Sequence, residues 1–130
     1  MSYKKVLIVD DAAIDRLLAK KMMSKFSFAT DVHTVESAMD ALDMLKSCTP
    51  IPESLPELIF LDINMPQMSG FDFLDEYNKL PEDIKKKCVI VMLSSSLHPE
   101  DRDRALASPY VYKFMSKPIS AEKLSELTKI

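Results

Sequence analysis

The stretch Leu58-Ile59-Phe60-Leu61-Asp62 decides how this chain folds: four consecutive apolar residues of strand length, closed by an aspartate. A strand with one face in water alternates apolar and polar side chains, whereas a strand covered on both faces reads as an unbroken apolar run. Two more such runs stand on either side of it, Val6-Leu7-Ile8-Val9 and Val89-Ile90-Val91-Met92-Leu93. Mixed segments at 29–35 and 110–115 read as edge strands. Helical patterns fill the intervals. In the first, Ile14, Leu17, Leu18, Met22 and Phe26 share one stripe, the mark of a core-facing side. The second carries Ala38, Ala41, Leu42 and Leu45 behind Ser37 as N-cap. A third starts near Gly70 with Phe71 and Leu74. The fourth opens on Pro99, with Glu100 and Asp101 suited to the positive end of the helix dipole. The fifth follows Ser120 as N-cap and turns Leu124 and Leu127 inward. Strand and helix thus alternate five times. Right-handed crossovers then put helices on both faces of a parallel sheet, the doubly wound α/β class.

Composition narrows the functions open to such a chain. Its 130 residues suit one domain, assigned here to 1–130. A net charge of -3 gives no electrostatic footing on nucleic acid. No apolar run is long enough to span a bilayer, and the four apolar residues before Asp10 are too few for a signal-peptide core. Gly70 is the only glycine, which excludes every glycine-rich phosphate cradle. Phosphate, if handled, must be held by side chains and a metal. Cys48 and Cys88 lack metal-ligand spacing and read as reduced thiols of a cytoplasmic protein, Cys88 buried at a strand start and Cys48 exposed in a loop. The proline-bearing segment 47–57 reads as an insertion at the far edge of the sheet from any ligand site. His33 and His98 fall away from that site.

In open α/β sheets ligands bind beyond the carboxyl ends of the strands, where strand order reverses. Asp10 and Asp11 follow the first strand and Asp62 follows the third, which both plausible strand orders put near that crevice. Converging carboxylates repel one another unless a proton or a cation intervenes. A hard divalent cation with oxygen ligands, Mg²⁺ above all, removes the conflict. Ser94 ends the fourth strand and Lys117 the fifth, just before Pro118. A hydroxyl and an ammonium facing a metal-carboxylate cluster make a cradle for a dianion. Each residue has a plainer reading, helix cap for the acids and ion pair for Lys117; their joint placement argues against it.

With these residues in order, the chain resembles a receiver domain of the two-component response regulators along nearly its whole length. The motifs are Asp10-Asp11, Asp62-Ile63-Asn64-Met65-Pro66 with Gly70 beyond, Leu93-Ser94-Ser95-Ser96, and Lys117-Pro118. The resemblance implies a flavodoxin-like (βα)5 fold with strand order 2-1-3-4-5. It implies a phosphorelay function in which Asp62 accepts a phosphoryl group from a phosphohistidine on a histidine kinase or histidine phosphotransfer protein. Mg²⁺, or Mn²⁺ in its place, would be held by Asp10, Asp11, Asp62 and the backbone carbonyl of Asn64. Lys117 and Ser94 would contact the phosphoryl group, with Ser94 and Phe114 as the switch pair, and Asn64 and Ser96 would tune its lifetime. The fourth helix, fifth strand and fifth helix would form the face that a downstream target or a second copy docks on. Such a protein takes part in its own phosphorylation and dephosphorylation without being a dedicated enzyme. An aspartyl-phosphate phosphatase is the enzymatic alternative, but D-x-D-x-T after a first strand is missing. A receiver that binds partners without phosphorylation would have no need of the acids and Lys117.

Overall fold

The computed structural model describes residues 3–48, 51–95 and 98–127. The apolar runs form strands β1 (Tyr3–Val9), β3 (Leu58–Asp62) and β4 (Val89–Ser94), and the mixed segments form β2 (Ala29–Val35) and β5 (Val111–Ser116). All pair parallel in the order β2-β1-β3-β4-β5, so the three apolar strands are central and the two mixed ones are edges. The sheet is the five-stranded doubly wound, flavodoxin-like one. Alternate residues of each central strand point to opposite faces. Leu7, Val9, Ile59, Leu61, Ile90 and Met92 enter one core cluster; Val6, Ile8, Leu58, Phe60, Val91 and Leu93 enter the other.

The first cluster is closed by α2 (Ala38–Ser47), α3 (Gly70–Tyr77), the single turn α4 (Glu82–Lys85) and α5 (Pro99–Leu106); α1 (Ala13–Lys25) and α6 (Ala121–Ser125) cover the other face. The expected fourth and fifth helices are therefore α5 and α6, since α4 was not foreseen. Its four residues bury only Ile84, too little for a periodic signal. Helix starts are where side chains placed them: Ser37 and Ser120 accept from the backbone N–H of Asp40 and Lys123, and Pro99 opens α5. The turn into β5 lacks glycine and is built on Ser108, whose carbonyl accepts from Val111 and whose hydroxyl accepts from Tyr110.

Helix α1 departs from expectation. Ile14, Leu17, Leu18 and Phe26 are about half exposed, and the residues that α1 buries are Ala19 and Met23. The inward line runs Asp15/Arg16, Ala19, Met23, because polar groups at its top have partners on the sheet edge. Arg16 donates to the carbonyl of Asp10 at 2.8 Å and Asp15 accepts from Lys117 at 3.0 Å. Cys48 also differs, being buried: the 3-10 turn Pro52–Ser54 folds back over the end of α2, and the thiol lies 3.6 Å from the carbonyl of Ser54. In α5, Arg104 lies over the ring of Phe71 at 4.1 Å. The apolar residue Leu97 assigned to the helix region lies outside the described residues, as does Pro50.

Gly70 is required by packing. A Cβ there would stand 2.6 Å from the carbonyl oxygen of Asp62, 2.9 Å from Met92 Cε and 3.0 Å from Ile63 Cα. The Gly70 N–H donates to Ile63 O at 2.8 Å, so α3 begins in direct contact with the end of β3. Gly70→Ala should lower stability by about 1–3 kcal/mol through overpacking. Urea denaturation measures this, and an unchanged midpoint would contradict the close approach.

Candidate functional site

Setting tyrosine aside, the buried polar side chains among the described residues are Asp10, Asp62 and Ser94, and all three lie at the carboxyl edge of the central strands. A buried ionisable group is unfavourable without partners, so a concentration of them at one edge needs a reason beyond stability. The register supplies the proximity. Val9 pairs with Leu61, so Asp10 and Asp62 stand beside each other; Asp62 pairs with Leu93 and Ser94 with Ser116. Carboxylate oxygens of Asp10, Asp11 and Asp62 all come within 4.8 Å of one another. Asp11 is exposed, which leaves the cluster open to solvent on one side.

Lys117 reaches into this cluster from the end of β5. Its Nζ is 2.7 Å from Asp10 Oδ2, 3.0 Å from Asp15 Oδ2 and 3.3 Å from Asp62 Oδ2. Its backbone N–H donates to Ser94 O at 2.8 Å, and the Lys117–Pro118 peptide bond is cis. Lys123 donates to the carbonyls of Ser116 and Pro118, clasping the backbone on both sides of Lys117. The other oxygens are oriented by backbone: Asp10 Oδ1 accepts from Ala12 at 2.9 Å and Asp62 Oδ1 from Asn64 at 3.4 Å. Ser69 and Asp72 form a capping box that holds the start of α3, just beyond this loop.

Burial raises the pKa of Asp62 from 3.8 to about 6; Lys117 opposes the rise and Asp10 adds to it. For Lys117 the largest effect is burial, which disfavours the ammonium. Hydrogen bonds to Asp10 and Asp15 and the charges of Asp62 and Asp10 outweigh it, and the pKa is raised. Lys117 therefore stays charged, yet one ammonium does not compensate three converging carboxylates and Asp15. An all-oxygen donor set with residual negative charge and one open side fits a hard divalent cation. Asp10, Asp11 and Asp62 are the residues able to hold it.

The structure thus brings Asp10, Asp11, Asp62, Ser94 and Lys117 to one edge. Asn64 directs its backbone N–H to Asp62 and leaves its side chain exposed. Phe114 is half-buried on β5 against the core, and Ser96 lies outside the described residues. Neither histidine shares the cluster: His33 is exposed on the edge strand β2, where it pairs with Leu7, and His98 precedes α5. Sequence reasoning missed Asp15. The available signal was its place in the first turn of a helix that leaves the strand edge, where side chains lean back toward the helix N-terminus.

A parallel sheet of order 2-1-3-4-5 with carboxylates, a hydroxyl and a lysine at its carboxyl edge defines a class of phosphoryl-handling signalling domains. A family model described as the response regulator receiver domain matches residues 6–129, and the chain belongs to that family. The crystal structure of a two-component response regulator from Cytophaga hutchinsonii superposes with a TM-score of 0.93, at 29% identity, covering 99% of this chain and 96% of that one. The sensor histidine kinase CheAY of Helicobacter pylori is 29% identical over 127 residues, which is 95% of this chain and 14% of that protein. Protein-glutamate methylesterase/protein-glutamine glutaminase 3 of Burkholderia thailandensis is 32% identical over 116 residues, 88% of this chain and 29% of that protein. The chain therefore spans under a third of the length of these two relatives. Receiver domains serve phosphorelay signal transduction in two-component systems and interact with histidine kinases. Among the described residues, no helix is long and apolar enough to cross a membrane.

The raised pKa of Asp62 has a sign that can be checked. A carboxyl whose folded-state value exceeds its unfolded-state value destabilises the fold once ionised, and here the penalty grows as pH rises from 3.8 to about 6. Asp62→Asn should then stabilise the metal-free protein at pH 7 by on the order of 2 kcal/mol, with the gain gone below pH ~4. Denaturation at the two pH values tests this; a variant no more stable than wild type at pH 7 contradicts it.

Proposed function

We propose that this chain is a phosphorylatable switch of the cytoplasm in which Asp62 is the phosphoacceptor. The observation that carries the reading is the meeting of the buried Asp10, Asp62 and Ser94 at one strand edge, with the Lys117 ammonium 3.3 Å from Asp62. An Asp62 oxygen attacks the phosphorus of a phosphohistidine in line; the P–N bond breaks and the imidazole nitrogen keeps the electron pair and takes a proton. Such transfers depend on positioning and on neutralising phosphoryl oxygens more than on covalent help. Mg²⁺, or Mn²⁺, held by Asp11, Asp62, the backbone carbonyl of Asn64 and, through water, Asp10, would supply part of that neutralisation. Lys117 supplies the rest and steadies Asp62 as an anion. Hydrolysis reverses the state when water attacks phosphorus and the Asp62 carboxylate leaves, and Asn64 and Ser96 are the residues we read as tuning its rate.

Ser94 and Phe114 transmit the change. Ser94 would direct its hydroxyl to the phosphoryl group, and the space it leaves would admit the ring of Phe114 from β5. The face beyond is α5, β5 and α6, where Tyr112 is exposed and Phe114, Lys113, Arg102 and Lys123 line a groove. A downstream target or a second copy of the chain is the reading for that face. The methylesterase activity named for one relative belongs to a protein of which this chain covers 29%. We read the present chain as a switch without substrate turnover of its own.

The donor is a phosphohistidine protein, a kinase or a phosphotransfer domain, and the exposed apolar side of α1 suits its docking. Leu18 lines the same pocket as Asp10, Lys117 and Ile119, so the apolar patch with Ile14 and Leu17 adjoins the Lys117 side of the site.

Acetyl phosphate with Mg²⁺ should add one phosphoryl group, seen by intact mass. Labelling should vanish in Asp62→Asn and on chelation of the metal, and should slow by roughly 10²-fold in Lys117→Ala, the scale of losing one oriented charge donor. Labelling that persists in Asp62→Asn would defeat the acceptor assignment. The docking reading is separable: Ile14→Lys with Leu17→Lys should weaken transfer from a cognate phosphohistidine protein at least tenfold, on the scale of an interface anchor. The same double variant should keep acetyl phosphate labelling unchanged. Equal loss with both donors would count against the α1 surface.

A further inference from the structure

An ammonium has three N–H donors and no more. In this protein Lys117 faces three carboxylates at hydrogen-bonding or ion-pair distance: Asp10 at 2.7 Å, Asp15 at 3.0 Å and Asp62 at 3.3 Å. A phosphoryl oxygen can therefore join Lys117 only by displacing one of them. Asp10 is buried, with its second oxygen held by the Ala12 N–H, and it belongs to the cation cluster. Asp62 is the residue being modified. Asp15 differs from both: its side chain is 38% exposed, it stands on α1 rather than on the sheet, and it is not among the clustered cation ligands. Its charge adds to a site that must receive an anion, and it takes one of the Lys117 donors.

We propose that Asp15 is a positioning residue that acts through Lys117, occupying one of its donors and so restraining the uptake of phosphoryl groups at Asp62. This rests on the reading of Asp62 as acceptor. The restraint is an exchange. In the unmodified protein Asp15 satisfies the third N–H of a partly buried ammonium. When an anionic donor arrives, Asp15 must release that N–H, and its exposure lets water solvate the carboxylate it frees. The Asp15 contact thus weakens binding of the phosphodonor more than it changes the chemical step, because Asp15 itself touches no reacting atom.

The test measures labelling by acetyl phosphate at saturating Mg²⁺, separating the half-saturating donor concentration from the maximal rate. Asp15→Ala should lower the half-saturating concentration about tenfold, the scale of one partly exposed charged contact, with the maximal rate within a factor of about two. Asp15→Asn, whose amide oxygen still accepts from Lys117, should fall between Asp15→Ala and wild type. Asp15→Glu, which keeps the charge and can regain the contact, should behave as wild type. In a Lys117→Ala background Asp15→Ala should have no effect, since the two changes act through one interaction. An unchanged or raised half-saturating concentration in Asp15→Ala overturns the inference. So does an Asp15 effect of equal size without Lys117, which would mark a general charge effect. Failure of the wild-type protein to be labelled at all would instead strike the acceptor reading, so the two failures are distinguishable.

Discussion

The parallel pairing of β1 with β3 is the constraint on which the rest depends. Both strands are apolar on both faces and lie inside the sheet, so their register is set by burial. With Val9 opposite Leu61, the residues next along each chain are Asp10 and Asp62. Two buried carboxylates side by side are an electrostatic fault that the hydrophobic core itself imposes. Lys117 answers it from β5, two strands away from β3, and can do so because β4 and β5 continue the parallel pairing outward, with one register shift at Ile90/Val91 beyond which Ser94 stands opposite Ser116. The fold supplies the conflict and the means of containing it, and leaves enough residual charge to invite a cation.

The surroundings of the cluster show what this arrangement demands of neighbouring elements. Helix α3 starts so close to the Asp62 carbonyl that no side chain fits at Gly70. Helix α1 is rotated so that Asp15 and Arg16 meet the sheet edge, which turns Ile14, Leu17 and Leu18 outward. An apolar stripe left half exposed is a loss of burial worth up to a few kcal/mol. The polar contacts at the top of α1 and the small residue Ala19 set a different rotation from the one that hydrophobic burial alone would choose.

Much of this was legible in the chain because the signals are local. Unbroken apolar runs identify central strands, mixed ones identify edges, and serine or proline at helix starts sets boundaries without help from the rest of the molecule. Asp10, Asp11, Asp62, Ser94 and Lys117 could be named as one site because strand ends in a parallel sheet share an edge. The single turn α4 was not legible, since one buried isoleucine carries no period. Nor was the burial of Cys48, which depends on a later turn folding back over it.

The sequence by itself determined which segments are strands, which edge bears the acids, and that phosphate could not be held by a glycine-rich loop. Tertiary structure alone decided which face of α1 meets the sheet, why residue 70 must lack a Cβ, and that Asp15 joins the carboxylates around Lys117. The reason is physical. Periodicity records the environment averaged along one element, whereas a contact between Asp15 and Lys117, 102 positions apart, exists only once two elements have chosen their distance and rotation. Where a polar contact competes with an apolar stripe for that choice, the pattern in the chain points the wrong way.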